Sequence, residues 1–361
     1  MNILIVGEFS AFAKELKKGF VALGHQCIIF SWGDGRKNIK QNSDDYSCSY
    51  ISNKGRMISI LSRIWMNMKL FSNVKKLSKN WQSDAVLIIN PGFVRSQICV
   101  HHLGLTKSQI FGLKKKEAKV YLSACGGDYV FYKYVNAEGI ASALYRYDLK
   151  SEKNKLDRII NQVDYIIPTH YGYAERYRLS SYSNKLAITI PLPICVSDFK
   201  PSTRIQNNQI VIFLGKMRLA KGYEVMNKAL DIIVKRYPNV KRIPDRFLSF
   251  DEYLIELSKA NIVMDQCTSS SYGMNALCAL SMGKCVLSGN LPEGAQEYGL
   301  TIQDIPIVDI KENSDMIVEV LEKLIINPDL IIDYGKRARI YAETFHDSAI
   351  IAKKYLDVFK K

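Results

Sequence analysis

The sequence predicts an α/β protein built as two doubly wound, parallel-sheet domains, and three observations carry that expectation. Short apolar strings alternate with helix-period segments along the whole chain, as βαβ construction requires. The alternation breaks once, at the polar, proline-bearing stretch DFKPSTRIQNNQ (198–209), and then restarts. A length of 361 residues suits roughly two domains, each able to bury its own core.

In the first half, strands are predicted at ILIVG (3–7), QCIIFS (26–31), AVLIIN (85–90), KVYLSA (119–124), YIIP (165–168) and AITIPLP (187–193). Helices are predicted at FAKELKKGFVALG (12–24), RMISILSRIWMNMKLFSNVKKL (56–77) and AERYRLS (174–180). After the linker come a strand at IVIFLG (210–215) and a helix at YEVMNKALDIIVKRY (223–237). YLIELSKA (253–260), a strand at NIVMDQ (261–266), a helix from Gly273 and a strand at KCVLSG (284–289) follow. Between Tyr237 and Ala260 the pattern holds one strand fewer than such a domain wants. Ligands of doubly wound sheets sit beyond the carboxyl ends of the strands, so a cleft between the domains is the expected place for chemistry.

Composition narrows the class. Hydrophobic residues make up 47% and charged residues 24%, a globular balance that argues against disorder. No apolar run approaches the ~20 residues of a membrane span, and MNILIVGEFS reads as a buried first strand, not a signal peptide. Eight cysteines (Cys27, Cys48, Cys99, Cys125, Cys195, Cys267, Cys278, Cys285) are scattered without a CxxC pair, so neither zinc nor disulfides are expected. His101 and His102 have no metal-ligand spacing with any acid or cysteine and take no role. The net charge of +15 favours an anionic partner: nucleic acid, a phosphorylated ligand or an anionic membrane surface. Zinc-finger spacing, an RNP-like strand and a clear helix-turn-helix pattern are all missing, which argues against nucleic acid.

One basic cluster stands at a strand end. VIFLGKMRLAKG (211–222) places Lys216, Arg218 and Lys221 between Gly215 and Gly222. Further on, Tyr272-Gly273-Met274-Asn275 opens a predicted helix, where free backbone N–H groups and the dipole favour a phosphate or sugar hydroxyl; a plain helix cap is the alternative. Gly7 to Ser10 makes the first strand-to-helix turn and should face the same cleft, with its backbone N–H groups expected near a bound phosphate.

Four segments in order resemble the retaining GT-B glycosyltransferases of the family-4 (group 1) kind over essentially the whole chain. They are VGEFSAFAKELKKGFVALGHQCIIFS, closing its helix on Gly24 and His25; TIPLPICVSDFKPS; GKMRLAKG; and ANIVMDQCTSSSYGMNALCALSMGKCVLSG. The resemblance implies two Rossmann-like domains facing a central cleft: 1–199 on the acceptor side, 200–340 binding the nucleotide sugar, and a helix in 341–361 packing back toward the first domain. It puts Lys216 and Lys221 on the positions that neutralise the donor diphosphate, with Gly215 beside them and Arg218 less placed. Two fixed ammonium groups there would stabilise the charge that grows on the leaving phosphate, so that no metal and no cofactor are required beyond the nucleotide-diphosphate sugar itself.

The chain also departs from that pattern. Where the family has a glutamate, seven residues and a second glutamate, this sequence has Ser270 and Cys278, and a thiol cannot accept two ribose hydrogen bonds as a carboxylate does. In SACGGDYV (123–130), Cys125 replaces the family's histidine while Gly126, Gly127 and Asp128 remain. Asp128 is the candidate acceptor-side acid/base or sugar-positioning group, a turn-capping aspartate being the alternative. Ser10 and His170 complete the acceptor side, with an exposed loop histidine as the plainer account of His170.

The stretch 53–80 carries Lys54, Arg56, Arg63, Lys69, Lys75, Lys76 and Lys79 and no acid. At helical period Ile60, Ile64, Met68 and Phe71 make an apolar line, broadened by Met57, Leu61, Trp65 and Leu70. A core helix explains half of them; an acid-free helix with Trp and Met also suits an anionic leaflet. The resulting expectation is a cytoplasmic transferase at the inner membrane face. It would move a sugar from a nucleotide sugar to a lipid-linked O-antigen or capsule-type glycan of a bacterial polysaccharide pathway. A non-catalytic binding protein and a sugar-nucleotide epimerase of the same fold are the alternatives.

Overall fold

The computed structural model describes residues 1–31, 45–47, 56–96, 104–137, 148–215, 221–246, 248–269 and 271–360. Contacts divide the chain into two units, Met1–Ile190 with Ala352–Lys361, and Pro191–Ile351.

The first unit runs β1 (Asn2–Val6), α1 (Phe12–Ala22), β2 (Gln26–Ser31), β3 (Tyr46–Ser47), α2 (Arg56–Leu77), β4 (Ser83–Ile89), β5 (Val94–Arg95), β6 (Leu105–Thr106), α3 (Lys107–Phe111), β7 (Lys114–Ala124), α4 (Tyr129–Ala137), α5 (Leu149–Asp157), β8 (Tyr165–Pro168) and α6 (Tyr171–Arg178). Six strands form one sheet in the order β3-β2-β1-β4-β7-β8, every pair parallel. Ile3–Ile5, Val86–Ile88 and Val120–Leu122 are buried along consecutive positions. A parallel strand covered on both faces needs that continuous apolar run.

The expected strand at 187–193 does not form. Ala187 N–H reaches Ile166 O at 2.8 Å and Ile190 N–H reaches Pro168 O at 2.9 Å, but only an isolated bridge, Ile166 to Leu186, results. Pro191 and Pro193 lack the donors to carry pairing further.

The second unit holds β9 (Ile210–Leu214), α7 (Tyr223–Arg236), β10 (Val240–Arg242), α8 (Phe250–Lys259), β11 (Ile262–Met264), α9 (Met274–Ser281), β12 (Cys285–Ser288), α10 (Pro292–Gln296), β13 (Ile307–Asp309), α11 (Ser314–Ile326) and α12 (Pro328–Tyr341). The strand that the sequence pattern left out is β10, three residues long and two of them charged. The sheet order is β10-β9-β11-β12-β13, all parallel.

A helix α13 (Ser348–Phe359) follows a short π turn at Ala342–His346. Its Ala352–Phe359 portion belongs to the first unit. There the Phe359 ring lies 4.4 Å from Tyr121 and 6.0 Å from Phe20. Residues 191–199 and 341–351 belong to the second unit, so both boundaries differ from the 199/200 and 340/341 divisions read from the sequence. The reason is local pairing. Ile194 N–H bonds His346 O (2.9 Å) and Ser348 N–H bonds Ile194 O (3.0 Å), while the Arg339 guanidinium donates to Phe199 O and Ser281 O, each at 2.7 Å.

In each sheet the chain reverses its direction of winding once, between β1 and β4 in the first unit and between β9 and β11 in the second. The crevice outside the carboxyl ends at such a reversal is where doubly wound sheets take ligands.

Candidate functional site

At the second unit's reversal, the loops after β9 and β11 are tied together. Gly215 N–H donates to Met264 O (3.0 Å) and Cys267 N–H donates to Lys221 O (3.0 Å). Gly222 sits at φ +76°, and a Cβ there would meet Cys267 Sγ at 2.2 Å, so only glycine closes this turn. A Cβ on Gly215 would likewise meet Asn275 Nδ2 at 2.7 Å.

The turn delivers Lys221. Its Nζ lies 2.5 Å from Oδ1 of Asp265, a fully buried carboxylate at the end of β11, while the lysine side chain stays 18% exposed. Asn275 Nδ2 donates to the same oxygen at 3.1 Å, and Ser288 Oγ approaches Oδ2 at 3.5 Å. The ammonium keeps two further N–H donors after serving Asp265. The structure fixes Lys221 against an aspartate that the sequence pattern shows only as part of the strand NIVMDQ. Lys216, Arg218 and Ser270 lie outside the described residues.

Beside Lys221, Gly273 holds the N-cap position of α9 with an extended backbone, and a side chain there would face open space within 4 Å. Among the described residues no side chain caps this helix start. Its first N–H groups therefore remain to meet an anion. The four residues expected to hold the donor divide by role. Asn275 bonds Asp265, and Gly273 borders open space. Met274 is buried in the core of the unit. Tyr272 faces away from the helix start. Its hydroxyl lies 2.6 Å from Tyr341 Oη and 2.9 Å from His346 Nε2, and His346 Nδ1 lies 2.7 Å from Leu192 O. With Nδ1 donating to that carbonyl, Nε2 accepts from Tyr272 and Tyr341 donates to Tyr272.

Cys278 is also displaced from its expected role. Its side chain is buried in the apolar cluster with Val263, Leu277 and Leu280. The helix turns position 278 inward, so a ribose hydroxyl does not meet it in this arrangement.

The first unit's reversal is organised by buried polar groups. Gly7 has φ +107°, its N–H donates to Phe30 O (2.8 Å), and a Cβ would strike the Phe93 ring at 2.3 Å. That N–H is spent inside the sheet, and the glycine is required by packing, not by a donor phosphate. The N-terminus of α1 is already neutralised: Glu8, fully buried, accepts from Ala13 N–H (3.1 Å) and Lys14 N–H (3.0 Å). Ser10 (φ +53°) and Ala11 (φ +72°) hold left-handed backbone, a conformation costly for residues with a side chain.

Asp128 is buried, Oδ1 accepting from Phe131 N–H (2.9 Å) and Oδ2 from Tyr177 Oη (2.6 Å). Burial raises its pKa, and those two donors act against the rise. It caps α4 and anchors Tyr177, so the capping alternative describes it and an open acid/base role does not. His170 caps α6 by accepting from Gly172 N–H at Nδ1 (3.2 Å). Burial, with the Arg176 charge, pushes its pKa down to about 3, so the ring stays neutral. Asn90, at φ +72°, joins the ends of β4 and β7 through Nδ2 to Cys125 O (2.8 Å) and to Gly127 O. A non-glycine residue in left-handed backbone after an apolar strand is a signal the sequence alone does not carry.

Neither a protein-family model nor a curated protein matches the sequence. Solved structures do match it in shape. Sucrose-phosphate synthase from Thermosynechococcus elongatus superposes with a TM-score of 0.65 at 12% identity, covering 99% of this chain and 98% of that one. An alpha-glucosyltransferase solved with UDP-glucose and DNA containing an abasic site gives 0.63 at 13% identity, covering all of both chains. WaaG, a glycosyltransferase of lipopolysaccharide biosynthesis, gives 0.58 at 14% identity with 99% of each chain covered. The chain has the GT-B fold. Both of its sheets have the Rossmann-like winding that this fold uses, and the reversals described above are the corresponding crevices.

Proposed function

We propose that the protein is a glycosyltransferase that moves a sugar from a nucleotide-diphosphate sugar to a glycan acceptor. The observation that carries this reading is Lys221, held by buried Asp265 at the second sheet's reversal beside the uncapped start of α9. A fixed ammonium and a row of free N–H groups suit a diphosphate better than a neutral ligand. The solved structures of the same fold that contain UDP or UDP-glucose support a uridine donor.

In the reaction proposed, the bond between C1 of the sugar and the diphosphate oxygen breaks. Lys221 and the α9 N–H groups stabilise the growing negative charge, with Lys216 as its expected second cation. The acceptor oxygen bonds to C1 from the same face, its proton passing to the leaving phosphate, so configuration is retained and neither a metal nor a strong protein base is needed. Burial of Asp128 agrees with a site that does not use it as that base. The acceptor we favour is a lipid-linked bacterial glycan of the lipopolysaccharide or capsule kind, met at the inner face of the membrane.

Melting temperature measured with UDP-, GDP-, CMP- and dTDP-sugars in EDTA tests this. A ligand at a hundred times its Kd stabilises by about 2.7 kcal/mol, enough to read. No shift with any of the four defeats the proposal. A shift without release of nucleotide diphosphate in the presence of glycan acceptors favours a second reading, a binding protein without turnover, to which the missing glutamates at 270 and 278 point. A duplex DNA acceptor belongs in the same assay, because the alpha-glucosyltransferase of this fold was solved on DNA.

A further inference from the structure

We propose that the outward face of α2 is a docking surface for an anionic lipid bilayer. The helix divides cleanly by exposure. Met66, Asn67, Leu70 and Val74 are buried and supply its inner face. Leu61, Trp65, Met68 and Phe71, spaced at three and four residues, are 60%, 62%, 66% and 57% exposed. The apolar line expected from the sequence is thereby corrected: Leu70 packs inward, Ile60 and Ile64 are half-buried, and the side chain of Met57 lies outside the described residues. Folding uses one apolar face of α2 and leaves a second one in water.

Water is a poor solvent for four large apolar side chains side by side, and soluble surfaces scatter such residues singly. Charge selects among the occupants such a patch can take. Lys75, Lys76 and Lys79 continue the same face toward the helix C-terminus, and Lys69 Nζ lies 5.7 Å over the Trp65 ring. From Asn53 to Asn80 there is no acid, and the whole chain carries +15. An in-plane helix that sinks Leu61, Trp65, Met68 and Phe71 below the headgroups sets these lysines at the phosphate level, where indole and ammonium groups both belong. A protein partner has no comparable need for an acid-free rim around an indole. The two halves of the face act together: the apolar half supplies depth and the cationic half selects anionic lipid.

The inference deepens the proposal of a membrane-borne acceptor but its test reads lipid binding without any sugar, so either can fail alone. Full-length protein is sedimented with vesicles of phosphatidylcholine, and with vesicles holding 30% phosphatidylglycerol. Each cation close to an anionic surface is worth about fivefold in affinity. Lys75→Gln/Lys76→Gln/Lys79→Gln should therefore weaken binding to the anionic vesicles by about a hundredfold. Trp65→Glu/Met68→Glu should weaken it by at least about tenfold, since both side chains would carry charge into the acyl boundary. Wild-type binding should fall from 0.1 to 1 M salt, as the Debye length shrinks from ~10 to ~3 Å. All five positions 65, 68, 75, 76 and 79 are exposed, so unfolding is not expected, and an unchanged circular dichroism melt confirms that. Negligible binding of wild type to both vesicle types overturns the inference. So does anionic binding that neither variant reduces, which would move the contact to another basic surface, or binding that only a protein or nucleic acid competitor reveals.

Discussion

Lys221 and Asp265 make a quantitative prediction, because one ion pair is asked to serve both folding and ligand binding. Lys221→Met removes the ammonium 2.5 Å from a carboxylate that has no exposed surface. Asp265 then retains Asn275 Nδ2 at 3.1 Å and a distant Ser288 hydroxyl at 3.5 Å, too little for a buried charge. Breaking a buried pair costs about 3–5 kcal/mol, and partial exposure of the lysine puts the expected loss near the lower end. Asp265→Asn should cost somewhat less, because the amide fills the same space. The double variant has no uncompensated charge, so its loss should fall short of the sum of the singles by about 2 kcal/mol. Urea unfolding of the four proteins measures that coupling. UDP binding, read by calorimetry under folded conditions, should separate the two duties. Every variant lacking Lys221 should lose a charge-assisted contact worth about 1.5–3 kcal/mol, and restoring stability in the double variant should not restore affinity. Coupling below ~0.5 kcal/mol would show that the pair is not an energetic unit. Unchanged UDP affinity in Lys221→Met would reduce the lysine to a structural partner of Asp265 and remove the main support for the donor site.

Two further predictions concern buried ionisable groups. Lys284 is buried with its Nζ on Ser258 O (2.7 Å) and Ser202 O (3.1 Å), and burial lowers its pKa from 10.5 to about 8. The unfolded lysine then binds its proton more tightly than the folded one between those values, so stability should rise with pH through that window. From pH 8 to 9.5 the gain should be about 2 kcal/mol over Lys284→Met, read by urea unfolding at each pH; parallel pH profiles would refute it. Tyr177→Phe removes the 2.6 Å donor from Asp128 and should destabilise by about 1–3 kcal/mol. The loss should be larger at pH 8 than at pH 5. Burial already raises the Asp128 pKa, losing a donor raises it further, and a carboxyl with a raised folded pKa becomes a burden as it ionises. Equal losses at both pH values would show that Asp128 does not change its charge between pH 5 and pH 8.

The parts of the fold that could be read directly were those where one physical requirement dominates. The strand cores 3–6, 27–30 and 120–122 are apolar on consecutive positions because the strands are covered on both faces, and α2 spans the 56–77 expected from its period. The misreadings arose where a second requirement competes. AITIPLP has strand-like residues, but its prolines cannot donate; VKR (240–242) looks like surface, yet pairs with β9. Within the site, Gly222 and Lys221 were readable as a strand-end turn. Asp265, 44 residues further on, was not, because an aspartate ending NIVMDQ gives no sign of which cation it will meet. Cys278 shows the limit of a positional match: the motif's spacing puts it beside the donor, while the helix of α9 turns it into the core. Both faces of α2 share one apolar period, so only the fold tells which of them is used up.

The first unit is discontinuous in the chain, and this has a consequence for its birth on the ribosome. Residues 1–190 emerge and can form their six-stranded sheet, but Phe20 and Tyr121 must wait for Tyr355 and Phe359, which arrive only after all of 191–351 has been made. During that interval two aromatic rings lack the helix that covers them in the finished protein, and the nascent domain carries a sticky seam that its own later segment must find. Synthesis order thus makes the second unit complete first, and the unit that began the chain closes after it.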